Sequence, residues 1–270
     1  MDNRTVIVSV VNDFQIYDRF FRTSPNVVGC ELFPFDNRTR NETIPVLYNR
    51  FIDVFDYTNP GWIVFAHQDF EFLESLREWA ARLDPNIIYG PHGARTQRRF
   101  FGLYYQWRLS GLIIMANRDG SNQFAMGHPT PLGELTETFD CCCLFVHSDW
   151  LQRTGYRFDE NLSFDLYGED LSIAAREYHQ TPSCIVPIPA RHYAFHPVPP
   201  RYKEQWRYLC QKYKHCCYTS TCSHYIGTPS RLLYYQVCLK QRVRPLFDWF
   251  NNTLLYRCCW GTFKNHKHKG

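Results

Sequence analysis

Three runs of consecutive apolar residues, each stopping abruptly at polar side chains, set the terms for what this chain can fold into. They are "TVIVSVVND" (Thr5–Asp13), "VVGCELFPFDN" (Val27–Asn37) and "GWIVFAHQD" (Gly61–Asp69). An unbroken apolar run, rather than an alternating one, reads as a strand covered on both faces, which is the habit of parallel sheets. Helical patterns lie between them. "DRFFRTSPN" predicts a short helix stopped by Pro25. "IPVLYNRFIDVFDYT" carries Val46, Leu47, Phe51, Ile52, Val54 and Phe55 at helical spacing, with Pro45 near its start. "FLESLREWAARL" predicts an amphipathic helix over residues 72–83, and "NIIYGPHG" a fourth strand. This alternation predicts parallel strands joined by right-handed crossovers, an α/β fold with a mostly parallel sheet flanked by helices. Ligands of such sheets gather beyond the carboxyl ends of the strands. Asn12-Asp13, Asp36-Asn37 and His67-Asp69 should therefore share one rim.

The pattern weakens from Gly90 to Gly133. "RTQRRFFGLYYQWRLSGLIIMANRDGSNQF" predicts an inserted hairpin or loop pair, with a turn at "NRDGSN". "ETFDCCCLFVHSDWLQRTG" returns to strand and helix. "RFDENLSFDLYGEDLSIAAREYHQ" predicts a loop and then a helix whose first turn holds Glu169 and Asp170. "SCIVPIPARHYAFH" predicts a last strand ending in two histidines. Beyond Pro199-Pro200 the composition shifts to Tyr, Cys, Lys and Arg. A boundary near residue 200 therefore divides a 1–200 domain from a 201–270 extension, read as helical.

Apolar residues make up 44% of the 270, enough to close a full core. The net charge of +4 is mild and its basic residues are dispersed, so a dedicated nucleic-acid binder is not indicated. No run of 18 apolar residues predicts a membrane-spanning helix, and the N-terminus lacks the basic start and long apolar stretch of a signal peptide. Without an export signal the 12 cysteines are expected to be thiols and the sequons at Asn3, Asn37, Asn41, Asn161 and Asn251 unmodified. The expected compartment is the cytoplasm. The phosphate-binding G-x-x-x-x-G-K-[ST], the dinucleotide G-x-G-x-x-G after the first strand and the hydrolase G-x-S-x-G are all missing.

Four groups of residues carry chemistry. Asp69, at a strand end, can hold a divalent ion that in turn binds two phosphates, with magnesium or manganese suited to an oxygen-rich set and manganese more tolerant of an imidazole. Read structurally, it caps the helix that follows. Glu169 and Asp170 feel the positive end of a helix dipole; one of them can act as a general base, or both are ordinary first-turn acids. His192 can complete a metal shell, whereas His196, beside Pro197, reads as a packed or surface imidazole. Cys210, His215, Cys216, Cys217, Cys222 and His224 are zinc-binding types, but their spacing matches no standard two-plus-two arrangement, and packed thiols are the default.

Four segments carry a resemblance: "VSVVND", "FDNRTRNETIPVLYNRFIDVF", "IVFAHQDFEF", and "TFDCCCLFVHSD" followed by "FDENLSFDLYGEDLSIAARE". In this order, over residues 5–200, they resemble GT-A glycosyltransferases of the family 2 type, above all the branch related to the StrF streptomycin-biosynthesis protein. "HQD" looks like that branch's replacement for the usual Asp-x-Asp, with His67 where the first carboxylate would stand. The resemblance implies a GT-A, Rossmann-like fold and a metal-dependent, inverting transfer of a hexosyl or deoxyhexosyl group. The donor would be a UDP-, GDP- or TDP-linked nucleotide sugar and the acceptor a hydroxyl of a glycan. It implies Asp13, Asp36 and Asn37 at the nucleotide, His67 beside them, Asp69 on Mn2+ or Mg2+ with His192 as a further ligand, and Asp140 near the acceptor. Asp170 would be the general base, with Glu169 beside it. Residues 201–270 have no counterpart; they are compatible with covering the acceptor groove, dimerising or docking on a membrane surface. The compact, cysteine-rich form would suit a large DNA virus as its source. A nucleotidyltransferase acting on sugar phosphates would share the sheet and the carboxylate but needs a basic, glycine-rich loop after the first strand, which "VVNDFQIYDRFF" does not offer. A non-catalytic nucleotide- or sugar-binding module is the other alternative.

Overall fold

The computed structural model of the chain describes residues 4–99, 101, 104–193, 199–223 and 225–252. They form two compact units: Met1–Gln97 with Gln106–Thr228, and Arg98–Tyr105 with Pro229–Gly270.

The first unit opens with the three apolar runs as strands, the first and third buried and the second, at the sheet edge, half-buried to exposed. β1 (Arg4–Val11), β2 (Glu31–Asp36) and β3 (Gly61–Ala66) pair in parallel with β1 in the middle. The crossovers are α1 (Phe14–Tyr17), extended by a π-helical turn Asp18–Arg22, and α2 (Ile44–Val54). β4 (Phe70–Phe72), α3 (Leu76–Ala80) and β5 (Ile88–Gly90) follow. Then come β6 (Gly93–Arg99), β7 (Tyr104–Ser110), β8 (Ile113–Met115), β9 (Phe124–Met126) and β10 (Thr138–Phe139). β11 (Cys143–His147), α4 (Ser148–Thr154) and α5 (Tyr167–His179) return to the main sheet. β12 (Ser183–Ile185), β13 (Ala190–His192), α6 (Pro200–Lys212), β14 (Cys217–Tyr218) and β15 (Ile226–Gly227) complete the unit. In the second unit α7 (Arg231–Asn252) buries Leu233 and Val237, and the Tyr105 amide donates to Gln236 Oε1 at 3.2 Å.

The main sheet has the order β12-β5-β11-β3-β1-β2, and every strand but β11 runs the same way. The fold is thus α/β, a mostly parallel sheet between helices. Period-2 alternation feeds two cores, one on each face. Val6, Val8, Ile63 and Phe65 pack with Tyr48 and Phe51 of α2, while Ile7, Val11, Trp62 and Val64 pack with Tyr17 and Phe21. Burying each such side chain stabilises the fold by roughly 1.5–3 kcal/mol. α2 obeys the helical rule in the same way: Ile44, Leu47, Tyr48, Phe51 and Ile52 are its buried stripe.

Two local expectations are corrected. The helix foreseen over 72–83 is confined to Leu76–Ala80, because Phe70–Phe72 pairs with β13 as a strand. The last strand is two strands in two sheets, β12 and β13, parted by Pro187 and Pro189, which offer no amide to a ladder. The four strands foreseen as parallel, β1, β2, β3 and β5, run the same way, with β11 antiparallel between β3 and β5. The "NRDGSN" turn does join a hairpin, β8 to β9. Residues beyond Pro200 are shared between the units: α6, β14 and β15 lie in the first, with Leu209, Tyr213 and Ile226 in the same core as Tyr167 and Leu171. The ten described cysteines are free. His196, His224 and the basic "KNHKHKG" tail fall outside the described residues. Among the described residues no helix is long and apolar enough to cross a membrane.

Candidate functional site

β3 stops at Ala66, but its ladder persists for one more residue, with the His67 amide donating to the Cys142 carbonyl at 3.0 Å. A tight turn follows, closed by Phe70 N to His67 O at 3.1 Å, and β4 pairs with β13 so that His192 stands opposite Phe70. Sheet register alone thus brings His192 to Asp69: its Nε2 lies 3.4 Å from Asp69 Oδ1 and 3.4 Å from His67 Nδ1. Asp69 is no helix cap, since a strand follows it and Ser75 precedes α3.

The tautomer of His67 follows from its neighbours. The Tyr167 hydroxyl donates to the Cys141 carbonyl at 2.9 Å, so at its 2.6 Å contact with His67 Nε2 it accepts. His67 Nδ1 then carries the lone pair, aimed at the space it shares with His192 and Asp69. The three ligand atoms lie within 4.8 Å of one another. One carboxylate oxygen and two imidazole nitrogens, one of them oriented through its second nitrogen by a tyrosine, fit a divalent cation of the manganese type better than magnesium. Burial works against the Asp69 carboxylate, but His192 and His67 outweigh it and hold the group below the usual carboxylate range. Burial lowers His67 to about 4, whereas Asp69 overcomes the burial of His192 and raises it.

A cleft of about 190 Å³ opens beside this cluster, lined by Asn12, Asn37, Tyr48, His67, Asp69 and Arg118, among others. Arg118 comes from the β8–β9 turn, is exposed, and pairs with no carboxylate among the described residues. Gln68 fixes the rim: its Oε1 accepts from the amides of Asn12 and Asp13, each at 2.9 Å. The Asp13 carboxylate caps α1 through the amides of Gln15 and Ile16. Asp36 is exposed and bound to Arg38, and Asn37 closes its amide on both backbone groups of Glu42. The rim groups from β1 and β2 therefore shape the cleft more through backbone than through free side chains.

The first turn of α5 meets the cluster through Tyr167, whose hydroxyl contacts His67. Its two acids diverge. Glu169 lies beside the Cys141 thiol at 3.6 Å and accepts from Ser220 Oγ at 3.0 Å and Thr221 Oγ1 at 3.1 Å. Burial, reinforced by the Asp140 charge, pushes its carboxyl up to about 7. Asp170 is bound by Lys212 Nζ and the Tyr213 hydroxyl, each at 2.7 Å. Burial raises Asp170, and Lys212 works against that rise. Asp140 precedes β11; burial would raise it, but the nearby His92, His192 and His67 imidazoles hold it below its ordinary value. Gly168 fits here because a Cβ would come within 3.1 Å of the Asp140 carbonyl.

No protein-family model matches the chain, and no curated protein does. Among solved structures the chain is similar to A197 from STIV, at 10% identity and a TM-score of 0.39, over 84% of this chain and 95% of that one. It is also similar to GalNAc-T7, solved with UDP, GalNAc and Mn2+, at 9% identity and a TM-score of 0.44, over 94% of this chain and 57% of that one. At these scores neither likeness bears on activity, and the chemistry has to come from the chain's own residues.

The structure thus gathers His67, Asp69 and His192 directly, sets Asp140 within the field of the two histidines and Glu169 within that of Asp140, and leaves Asp36 and Asp170 tied to cations of their own. Sequence reasoning gave no role to Tyr167, although it lies in the quoted "FDLYGED", and missed Gln68, Ser220 and Thr221. A larger groove of about 550 Å³, lined by Arg95, Thr136 and Arg176 among others, lies apart from these groups. Its guanidiniums are engaged, Arg95 with Glu134 and Arg176 with the Thr136 carbonyl at 2.7 Å, and among the described residues it holds no ligating cluster. Size alone does not make it the site.

Proposed function

We propose that the chain is a metal-dependent inverting glycosyltransferase that moves a hexosyl group from a nucleotide sugar to an acceptor hydroxyl. The observation that carries this reading is the convergence of His67, Asp69 and His192 on one point beside a cleft at the strand ends, with a buried carboxyl of raised pKa on the adjoining helix turn. Residues 1–200 would form the catalytic domain, and the 201–270 extension would supply the hydroxyls that hold Glu169.

In this reading the donor lies across the rim, its nucleotide against Asn12, Asp13, Asp36 and Asn37. A divalent cation, Mn2+ before Mg2+, supplies charge stabilisation for the departing diphosphate when bound by His67, Asp69 and His192. Arg118, at the mouth of the cleft, adds a second positive charge there. The acceptor oxygen attacks the anomeric carbon as the bond from that carbon to the diphosphate oxygen breaks, and the electron pair leaves with the diphosphate. Glu169, beside Asp140, takes the acceptor's proton. We place the base at Glu169 rather than Asp170 because Asp170 is locked against Lys212 and Tyr213. A carboxyl near 7 is also the better proton acceptor at neutral pH.

A non-catalytic scaffold would have no use for a buried, nearly neutral Glu169, which costs stability at neutral pH. The test is a panel of UDP-, GDP- and TDP-sugars incubated with Mn2+, read as release of nucleoside diphosphate and inversion at the anomeric carbon. Release of pyrophosphate instead would point to nucleotidyl transfer. No turnover with any donor would overturn the enzyme reading.

A further inference from the structure

We propose that Glu177, His215 and Cys216 form a second cation site, of the zinc class, separate from the strand-end cluster. The fold draws these residues from different places: Glu177 from the C-terminal part of α5, His215 and Cys216 from the segment between α6 and β14. Their ligand atoms lie within 4.8 Å of one another, and His215 Nε2 is 3.4 Å from Glu177 Oε2. Zinc–nitrogen and zinc–oxygen bonds of about 2.0–2.1 Å in a tetrahedron set neighbouring ligands about 3.3–3.4 Å apart. The histidine and carboxylate thus already stand at the spacing of one tetrahedral edge.

The chemistry of the set agrees. A thiolate and a carboxylate balance a divalent charge, and a neutral imidazole completes three protein ligands, leaving one position for water. The carboxylate is oriented as metal-bound carboxylates are: the Tyr218 hydroxyl donates to Glu177 Oε1, which leaves Oε2 for the ion. Cys217 does not compete, because successive side chains of an extended segment point to opposite faces; Cys217 feels the charge of Glu137, whereas Cys216 feels that of Glu177. A spacing rule applied to cysteines and histidines could not find this set, since one ligand is a glutamate on another element. An ion here would fasten α5 to the segment that leads into Thr219–Ser223.

The experiment uses the full chain and the full chain carrying Asp69→Asn, which removes competition from the strand-end cluster. Each is loaded with Zn2+, dialysed and assayed for zinc by elemental analysis and chelator competition. One zinc per chain is expected to remain in Asp69→Asn. On that background Cys216→Ser, His215→Gln or Glu177→Gln should weaken binding at least about tenfold, Tyr218→Phe by about tenfold, and Cys217→Ser not at all. Co2+ in place of zinc should give a thiolate-to-cobalt charge-transfer absorption that Cys216→Ser abolishes and Cys217→Ser retains. Failure of Asp69→Asn to hold zinc, a cobalt complex without the thiolate absorption, or loss that follows Cys217 instead of Cys216 would each overturn the proposal. Because the cobalt spectrum is read with the proposed ligands intact, a ligand variant that fails to fold does not shelter it.

Discussion

The strand-end cluster and the first turn of α5 are organised in opposite ways. At the strand ends, His67, Asp69 and His192 face one another, and their geometry comes from sheet register: one turn after β3 and one antiparallel pairing of β4 with β13. At the first turn of α5, each acid is held by a different part of the segment after residue 200, Glu169 by Ser220 and Thr221, Asp170 by Lys212 and Tyr213. Groups placed by register stand ready for an exogenous ion. Groups placed by a partner segment already have their counter-groups, and what they can do depends on which counter-group they drew. Hydroxyls leave Glu169 able to gain and lose a proton, whereas Asp170 is paired with a lysine and a tyrosine hydroxyl.

The sharpest way to break this contrast is at the strand ends. Asp69→Asn should abolish Mn2+ binding, measured by calorimetry, and lower transfer by at least about 10³-fold, since several kcal/mol of charge stabilisation are lost. Retained transfer without bound metal would remove the cluster from the mechanism. Next comes the α5 turn. Glu169→Gln should cost about 10²–10³-fold in kcat with donor affinity kept. Asp170→Asn should keep transfer within about tenfold while destabilising the fold by about 1–3 kcal/mol, seen as a lower Tm. The reverse pattern would return the base to Asp170.

A third test reads protons directly. Glu169 has its folded pKa raised to about 7, so between the unfolded value and 7 the folded state binds the extra proton. Stability from this group is complete below the unfolded pKa and is lost as pH rises through 7, a difference on the order of 3 kcal/mol. Glu169→Gln should therefore be more stable than the parent above pH 7 and lose that advantage in acid. Denaturant melts across pH that run parallel for the two chains would refute the buried-acid assignment. The smallest effect is expected from Ser220→Ala and Thr221→Ala. Each removes a hydrogen bond that lowers the Glu169 pKa, so the acid limb of the kcat/KM profile should move to higher pH, with a few-fold loss at neutrality that disappears in base. A uniform loss at all pH values would mean that the hydroxyls only support the loop.

The same contrast explains what could be read in the sequence. The apolar runs of β1 and β3 betray strands buried on both faces, and their polar ends betray the rim, so Asp69 and His67 were visible. His192 was visible as the end of a last strand, but not its pairing with β4, because Pro187 and Pro189 divide that strand in a way periodicity does not weigh. Asp69 read equally well as a helix cap until Phe70–Phe72 proved to be strand. The choice between Glu169 and Asp170 was illegible, since it turns on Lys212, Tyr213, Ser220 and Thr221, which lie beyond a compositional break and reach α5 only through tertiary packing.

β11 enters the sheet at the rim where β3 leaves it, pairing Cys143 with Ala66 and His147 with Trp62. Asp140 is therefore tethered ahead of its strand and Asp69 behind its own, two carboxylates hung over one brink by chains that travel in contrary directions. A slip of β11 by one residue, about 3.3 Å, would drag Asp140 across the brink while Asp69 stayed still. The Cys143 to Ala66 register is in effect a ruler, and the offset between the two carboxylates is the length it measures.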